Sequence, residues 1–367
     1  MSEALALKYR PHKFSDLTEQ CAVVKILENQ IATDTIKHGY LFVGAAGTGK
    51  TTSARIFADM INKSFGEPIE LDAASNNSVD DIRRITEEAQ TKSLDSEYKV
   101  FIIDECHMLS NAAWNAFLKT LEEPPAKSIF ILCTTNPEKI PATILSRVQR
   151  YNFQRISMQG VIDRLLYILE QENKDICAEG SQDAVNDIEW AKQEGLNVID
   201  WDIQAVDLIA KIADGGMRDA ITLLDKCLSY SNDLTVQNVI NALGVADYDT
   251  MFELTAFLSE KNINGMLNLI TGVYASGMDL KQFIKDYFEF ILDLNTYHTT
   301  SSMDLIKLPV NYETKLEEIT VYEWQCIISL LQVLVDLMNE IKWVQNPKSI
   351  IIARLMLYMN NVEVKDE

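Results

Sequence analysis

Residues 41–52 read Leu-Phe-Val-Gly-Ala-Ala-Gly-Thr-Gly-Lys-Thr-Thr, and this stretch decides the fold of the chain. The apolar run 41–43 predicts a buried parallel strand. The residues from Gly44 to Thr51 match the phosphate-binding pattern G-x-x-x-x-G-K-[ST]. The run from Ser53 to Ile61 predicts a helix with its apolar residues on one face. A strand, a glycine-rich loop and a helix in this order form the context that the pattern requires.

The loop chemistry suits a nucleoside triphosphate. Several N–H donors converge on the phosphates at the N-terminus of a helix, whose dipole favours anions. Glycine at 44, 47 and 49 lets the backbone approach the phosphates without a Cβ in the way. We expect Lys50 to reach the β- and γ-phosphates and the Thr51 hydroxyl to ligate Mg²⁺. The predicted ATP contacts of the loop are Gly44, Ala45, Ala46, Gly47, Thr48, Gly49, Lys50, Thr51 and Thr52.

An apolar strand that ends in two carboxylates follows downstream. Residues 99–104 read Lys-Val-Phe-Ile-Ile-Asp, and Glu105 comes next. After a phosphate-binding loop, this is the pattern of a Walker B element. We predict that Asp104 holds Mg²⁺ through water and that Glu105 orients and polarises the attacking water. We assign His107 no catalytic role, because a lone histidine is more often structural.

Length and composition limit the class of protein. The chain has 367 residues, enough for two or three domains, and 47% of them are hydrophobic, as in an ordinary globular protein. No apolar run approaches the roughly 18 residues of a membrane span, and the N-terminus lacks the apolar core of a signal peptide. We therefore expect a soluble, cytoplasmic protein without membrane contact. The six cysteines include no C-x-x-C pair, so no zinc spacing is present.

Negative charge is concentrated in the second half of the chain. Residues 1–155 hold 18 Lys/Arg against 20 Asp/Glu, whereas residues 156–367 hold 15 against 34, for a formal net charge of −21. Any DNA contact must therefore use a local basic face of the first half. Ten acidic residues and two basic ones occupy residues 170–202. We predict a solvated acidic insertion over about residues 172–202.

Strand-like and helix-like segments alternate through the first 157 residues. Besides the strands above, residues 69–75 and 128–134 read as strands, and residues 79–91 and 108–123 read as helices. Four strands alternating with helices predict an α/β P-loop domain whose parallel sheet has helices on both faces. The pattern after residue 158 is helical. We predict an α/β nucleotide-binding domain over 1–157, a small helical lid over 158–245 and an all-α domain over 246–367.

Taken together, the motifs resemble the gamma/tau subunits of the bacterial DNA polymerase III clamp loader, a family of AAA+ ATPases. The resemblance is strong over about residues 4–245 and weaker, at the level of helix pattern, to about residue 360. It is carried by residues 5–11 (LALKYRP), 72–75 (DAAS), 104–110 (DECHMLS), 115–125 (NAFLKTLEEPP), 134–141 (TTNPEKIP), 145–147 (LSR) and 216–220 (GMRDA).

This resemblance implies roles for residues outside the phosphate-binding loop. Thr135 matches the sensor of the γ-phosphate, and Arg147 matches the arginine finger that reaches the ATP of a neighbouring subunit. Arg218 matches the second sensor, which reaches ATP from the lid of its own chain. A guanidinium fork suits the charge that spreads over the γ-phosphate oxygens in the transition state. The adenine side of the site would be formed by Tyr9, Arg10 and Pro11.

Two departures from the family pattern change what we expect. A cysteine-ligated zinc module usually follows the P-loop helix, but only residues 62–68 occupy that place, so we expect no zinc. The turn after Ser75 usually carries basic residues that touch the template backbone. Amides and hydroxyls there release fewer counterions, so we expect DNA binding that needs several subunits and depends strongly on salt. The DNA-contacting positions would be Asn76, Asn77, Ser78 and Arg83.

The resemblance implies a Mg²⁺-dependent ATPase that acts as a motor subunit of a sliding-clamp loader. Its partners would be copies of itself or sister subunits in a pentameric ring, the sliding clamp and primer–template DNA. The third domain would be the collar that oligomerises, and the chain would lack the long tail of a tau-like form. The lost zinc module and the acidic insertion point to a divergent replisome, such as that of a phage in a bacterial host.

Two other functions fit parts of the pattern. A branch-migration ATPase would need a DNA-binding winged helix at its C-terminus, where this chain is acidic and helical. A non-hydrolysing scaffold subunit of the same ring would usually have a broken P-loop or Walker B element, and neither is broken here.

Overall fold

The computed structural model describes residues 3–93, 95–180, 194–244, 248–306, 308, 312–318 and 324–361. The chain divides into two compact units. The first unit comprises Met1–Ile199 and Ile209–Asp225, and the second comprises Asp200–Leu208 and Lys226–Glu367. Part of the predicted acidic insertion, residues 181–193, lies outside the described residues.

A five-stranded parallel sheet forms the centre of the first unit. Its strands are β1 (Gly39–Val43), β2 (Ile69–Asp72), β3 (Lys99–Asp104), β4 (Ser128–Thr134) and β5 (Gln149–Asn152), in the order β2-β3-β4-β1-β5. The four predicted strands and their parallel arrangement are confirmed. The edge strand β5 was not predicted. Only Tyr151 of its four residues is buried, so its sequence lacks the apolar run of a central strand.

The described residues of the first unit form these helices around or after the sheet: α1 (Leu5–Lys8), α2 (Cys21–Ala32), α3 (Lys50–Ile61), α4 (Val79–Ala89), α5 (Asn111–Glu122), α6 (Ala142–Leu145) and α7 (Met158–Gly180). The helix predicted over 108–123 begins three residues late, at Asn111. Residues Cys106–Met108 form a separate 3-10 turn, and the Ser110 hydroxyl caps α5 by accepting from the Ala113 N–H at 3.2 Å. Helices α8 (Ile203–Ala213) and α9 (Met217–Tyr230) follow.

Both faces of the sheet are covered, as predicted. All residues of β1 are buried, and successive side chains point to opposite faces. Tyr40 and Phe42 pack with Phe57 of α3 in one apolar cluster. Leu41 belongs to the cluster on the other face, with Phe117 of α5. This double burial fixes the strands, so their carboxyl ends present the loops that follow β1 and β3 at one edge.

The second unit is helical, apart from the short parallel pair Asp200–Trp201 and Asp233–Leu234. Its helices include Val236–Leu243, Tyr248–Ser259, Ile263–Ala275, Leu280–Thr300, Glu313–Glu318, Trp324–Ile341 and Lys348–Asn361. One apolar core joins most of them, with Phe283, Tyr287 and Leu334 fully buried. The predicted helical pattern of the C-terminal region is therefore confirmed. Within the described ranges, no helix is both long and apolar enough to cross a membrane.

Candidate nucleotide-binding site

A cavity of about 700 Å³ lies in the first unit, beside the loops that follow β1 and β3. The N-terminal segment, the P-loop, the end of β3 and the start of α9 all contribute to its walls. The predicted site residues that line it are Tyr9, Arg10, Pro11, Ala46, Gly47, Thr48, Gly49, Lys50, Thr51, Thr52, Asp104, Glu105 and Arg218. The volume is that of a site for a small-molecule ligand.

The phosphate-binding loop is bent by two glycines in the left-handed region. Gly47 has φ +70° and Gly49, directly before α3, has φ +94°. Gly47 also lies against the turn that opens α9: the Met217 N–H donates to its carbonyl oxygen at 3.1 Å, and a Cβ on Gly47 would lie 3.1 Å from the Cα of Gly216. This contact was not predicted, although the adjacent glycines 215 and 216 are a signal of close backbone approach.

Lys50 is buried inside the loop. Its side chain ammonium donates to the carbonyl oxygens of Gly44 at 2.9 Å and Ala45 at 2.7 Å. Burial lowers the pKa of Lys50, and the neighbouring carboxylates of Glu105 and Asp104 oppose that shift. Gly44 and Ala45 thus hold the lysine through their carbonyl oxygens and are not among the residues that line the cavity, so their contact with a nucleotide stays a prediction.

The two predicted metal-binding residues are in direct contact. The Thr51 hydroxyl donates to Oδ2 of Asp104 at 2.7 Å, and the Glu105 N–H donates to Oδ1 at 3.0 Å. A hydroxyl and a carboxylate at the cavity wall are the oxygen ligands that Mg²⁺ prefers, and Mg²⁺ usually takes its remaining ligands from water and phosphate. Among the described residues, no group of three His, Cys, Asp or Glu side chains is arranged to hold a metal. The residues therefore fit a magnesium ion that is shared with a bound nucleotide.

Glu105 is held by residues of two loops. Its backbone has φ +45°, in the left-handed region, directly after the end of β3. Oε2 accepts from the Thr135 hydroxyl at 3.1 Å and lies 3.2 Å from Nδ1 of His107. Thr135 therefore touches the predicted catalytic carboxylate and does not itself line the cavity.

Positive charge is gathered around the cavity. Arg10, Arg55 and Arg218 all line it. Burial lowers the pKa of Arg10, and the neighbouring charge of Arg55 lowers it further. Arg55 is paired with Glu70 at 2.5 Å. Like charges held together in this way favour a polyanionic ligand, which would relieve their repulsion.

The N-terminal segment is fixed against α7 within the first unit. The Tyr9 hydroxyl and the Lys8 ammonium each donate to Oε1 of Glu172 at 2.7 Å, and Lys8 also pairs with Asp175 at 2.7 Å. The guanidinium of Arg164, which also lines the cavity, donates to the Tyr9 carbonyl at 3.0 Å. Burial, followed by the Glu172 hydrogen bond, raises the pKa of Tyr9. The prediction of a solvated insertion from residue 172 is therefore wrong for these positions, because α7 continues to Gly180 and uses its acidic side chains to hold the adenine-side segment.

Arg55 and Arg164 were not predicted as site residues. Arg55 lies four residues after Thr51 on α3, so helical spacing brings the two to the same face, and this signal was available in the sequence. Arg164 had no such signal, since it reaches the cavity only through the packing of α7.

Arg147 lies away from the cavity, directly after α6. Its guanidinium is 2.5 Å from Oε1 of Glu122, the last residue of α5, and also donates to the Ser146 hydroxyl at 3.0 Å and to the Thr143 carbonyl. The Arg147 side chain is 31% exposed. This placement gives the arginine no contact with the ATP cavity of its own chain.

Three of the four predicted DNA positions, Asn76, Ser78 and Arg83, serve local structure around the start of α4, and the carbonyl of the fourth, Asn77, accepts from the Ser110 N–H at 3.3 Å. The Ser78 hydroxyl caps α4 and donates to Asp81 at 2.6 Å, and Arg83 pairs with Asp80 at 3.1 Å. The Asn76 amide donates to the Asp72 carbonyl at 3.3 Å. The Arg83 side chain is 66% exposed, so its pair is weak and open to exchange. A role in DNA contact stays a prediction.

Three families match successive parts of the chain. Residues 67–157 match "DNA polymerase III, delta subunit", residues 193–233 match "DNA polymerase III clamp loader subunit, ATPase lid domain", and residues 234–356 match "DNA polymerase III subunits gamma and tau domain III". Together they cover the Walker B end of the sheet, the lid and the helical C-terminal region.

Full-length relatives give the same result. The chain is 34% identical over 372 residues to the DNA polymerase III subunit tau of Bacillus subtilis, covering 94% of this chain and 61% of that protein. It is 32% identical over 311 residues to the DNA polymerase III subunit gamma of Buchnera aphidicola subsp. Schizaphis graminum, covering 79% of each. The chain spans about half of the gamma/tau subunit of Mycoplasma genitalium, 51% of its length at 30% identity.

Among solved structures, the chain is similar to the Thermotoga maritima RuvB Holliday junction branch migration motor. The sequence identity is 16% and the TM-score is 0.48, over 74% of this chain and 86% of that one.

Proposed function

The chain belongs to the family of DNA polymerase III gamma/tau clamp-loader subunits, and from this premise we propose that it is an ATP-driven motor subunit of a sliding-clamp loader. ATP binding would assemble a ring that grips a sliding clamp and primer–template DNA, and hydrolysis would release both. The ring would contain copies of this chain or sister subunits, with a pentamer as the expected form, and would work in the bacterial cytoplasm without membrane contact. A phage origin stays a prediction.

One observation carries the proposal: the residues that would bind the phosphates and Mg²⁺ and orient the attacking water lie together at one cavity of the chain. Lys50 lies inside the phosphate loop, and Thr51 is bonded to Asp104 at 2.7 Å. These two residues would hold Mg²⁺ together with the nucleotide, and the ion would supply positive charge against the charge that develops on the phosphates. The first sensor, Thr135, touches Glu105, and the second sensor, Arg218, lines the cavity. A non-hydrolysing scaffold subunit has no need of this set.

Each residue has a defined part in the proposed reaction. The N–H groups of the loop and Lys50 hold the β- and γ-phosphates, and Arg218 reaches them from the start of α9. Glu105 orients a water molecule for attack on the γ-phosphorus, the P–O bond to ADP breaks, and the proton of the water leaves with the products. Arg10 adds positive charge at the wall of the cavity, and Tyr9 and Pro11 form the part of that wall on the adenine side.

Arg147 would complete the site from a neighbouring subunit. It does not line its own cavity, and its partly exposed side chain pairs with Glu122 at the end of α5. An arginine finger supplied in this way stabilises the charge of the transition state and is worth about 10³- to 10⁵-fold in turnover in related phosphoryl-transfer enzymes. ATP hydrolysis would then depend on assembly. We keep the three-domain division at residues 157 and 245 as part of this proposal, with residues 246–367 as the collar.

The test is ATP turnover stimulated by the clamp and primed DNA. We expect Arg147→Ala to bind ATP with unchanged affinity and to lose stimulated turnover. Arg150→Ala is the matched control, because Arg150 is an exposed arginine three residues further along the chain, and its side chain donates to Asn152 at 2.8 Å and to no other described residue. Equal losses in the two variants would argue for a general effect of surface charge.

Mixing variants tests whether the finger acts between copies. Lys50→Ala removes the nucleotide site and keeps the finger, whereas Arg147→Ala keeps the site and removes the finger. In rings built from both, some interfaces combine an intact site with an intact finger, so turnover should return. Full turnover by Arg147→Ala alone would remove the finger assignment, and no return on mixing would exclude a finger donated between copies of this chain.

A further inference from the structure

The side chain of His107, for which the sequence predicted no catalytic role, lies against the carboxylate of Glu105. The residue lies in the 3-10 turn Cys106–Met108, directly after Glu105. Its side chain is only 9% exposed, and Nδ1 lies 3.2 Å from Oε2 of Glu105 and 3.1 Å from the hydroxyl oxygen of Thr134. A buried imidazole between a carboxylate and a hydroxyl has a defined orientation.

The surroundings of Nδ1 determine which nitrogen carries the proton. An ionised carboxylate only accepts hydrogen bonds, so a bare Nδ1 lone pair at 3.2 Å from Oε2 would be repelled. The Thr134 hydroxyl oxygen accepts from the Asn136 N–H at 3.0 Å and is thereby fixed at the end of β4. Protonation at Nδ1 removes this repulsion, so we infer that the ring carries its proton on Nδ1, between Thr134 and Glu105.

Both side chains beside Glu105 lie against the same oxygen. Oε2 accepts from the Thr135 hydroxyl at 3.1 Å and lies 3.2 Å from Nδ1 of His107. Within the described part of the chain, Oε1 makes no hydrogen bond, and Glu105 lines the cavity. With Oε2 held from two directions, the carboxylate cannot rotate freely. Oε1 is then the oxygen left for water.

We propose that His107 is a positioning residue for ATP hydrolysis: its Nδ1–H, together with the Thr135 hydroxyl, holds Oε2 of Glu105 so that Oε1 faces the attacking water. This inference rests on the proposed ATPase function. It makes His107 act only through Glu105, with no contact to nucleotide, since His107 does not line the cavity.

Substitution at this position can separate the two ring nitrogens. The amide nitrogen of asparagine is attached at the same point of the side chain as Nδ1, and that of glutamine reaches about as far as Nε2. We therefore expect His107→Asn to keep most of the single-turnover rate of assembled rings. His107→Gln and His107→Phe should lower that rate by roughly ten- to a hundred-fold, the value of one hydrogen bond to a charged group.

ATP affinity separates positioning from folding. We expect the Kd of Mg²⁺-ATP to stay within about twofold of wild type in all three variants, because the loop and Lys50 are untouched. His107→Asn and His107→Gln differ by one methylene group, so their melting temperatures serve as the folding control even if His107→Phe does not fold. Equal rates in the Asn and Gln variants, or a wild-type rate in the Gln variant, would overturn the proposal.

A double-mutant cycle gives an independent test of action through Glu105. In a Glu105→Gln background, the glutamine substitution at His107 should cause no further loss, because the group that it positions is already gone. Losses that multiply would show that His107 acts elsewhere. Failure of the proposed function is distinguishable, since wild-type rings would then show no turnover stimulated by the clamp and DNA.

Discussion

The substitution Gly49→Ala tests whether the loop conformation in the structure is the one that binds phosphate. The φ of Gly49 is +94°, and a Cβ there would meet only Leu17, at an ordinary 3.6 Å. The substitution therefore adds backbone strain without a steric clash. A non-glycine residue in the left-handed region costs about 1–2 kcal/mol, and a φ beyond about +70° does not reduce that cost.

This strain weakens nucleotide binding if the nucleotide-free loop of the variant relaxes to another conformation, because the nucleotide must then restore the strained one. A cost of about 1–2 kcal/mol then weakens binding of a non-hydrolysable ATP analogue by about 5- to 30-fold. Gly47→Ala should weaken it more. Its Cβ would also lie 3.1 Å from the Cα of Gly216 and 3.2 Å from that residue's carbonyl carbon, and backbone atoms cannot rotate out of the way.

Gly277 provides the matched control. Its φ is +84°, and a Cβ there meets no atom of the described residues within 4 Å, so Gly277→Ala carries similar strain in the second unit. We expect it to lower stability by a similar amount, about 1–2 kcal/mol, and to leave affinity unchanged. Titration calorimetry with Mg²⁺ present gives the Kd of each variant, and thermal unfolding reports folding. A Gly49→Ala affinity within twofold of wild type, or equal weakening by Gly277→Ala, would refute the reasoning.

Thr51→Val removes the hydroxyl that donates to Asp104 at 2.7 Å, so the Mg²⁺ concentration for half-maximal turnover should rise roughly tenfold or more, as a Mg²⁺ titration would show. Glu122→Gln releases Arg147 from its ion pair, and partly exposed pairs are worth about 0–1 kcal/mol. Stimulated turnover should therefore rise by no more than about fivefold, and a fall would contradict the finger role. Metal analysis of the purified chain should find less than stoichiometric zinc, and one zinc per chain would contradict the expected loss of the module.

Contiguous motifs could be predicted from the sequence alone. The phosphate-binding loop from Gly44 to Thr51 can be recognised from consecutive residues and the strand before it. The same is true of the two carboxylates Asp104 and Glu105. Alternation of apolar strands and amphipathic helices likewise predicts the parallel sheet, because both periodicities are local. The roles of Thr135, Arg147 and Arg218 came from resemblance to a family, since no local pattern distinguishes these residues from surface ones.

Other features depended on tertiary packing. Glu172 accepts a hydrogen bond from Tyr9, 163 positions away along the chain. The prediction placed Glu172 in a solvated insertion, because the acidic stretch that contains it lacks the regular spacing of apolar residues that indicates a packed helix. Gly216 meets Gly47, and β5 joins the sheet edge with one buried residue. His107 and Thr135 meet on one oxygen of Glu105 although they are 28 positions apart, since β3 and β4 pair side by side. The sequence by itself determined which groups could do the chemistry; only the folded sheet decided which of them touch, because hydrogen bonds between distant segments leave no periodic trace in a single sequence.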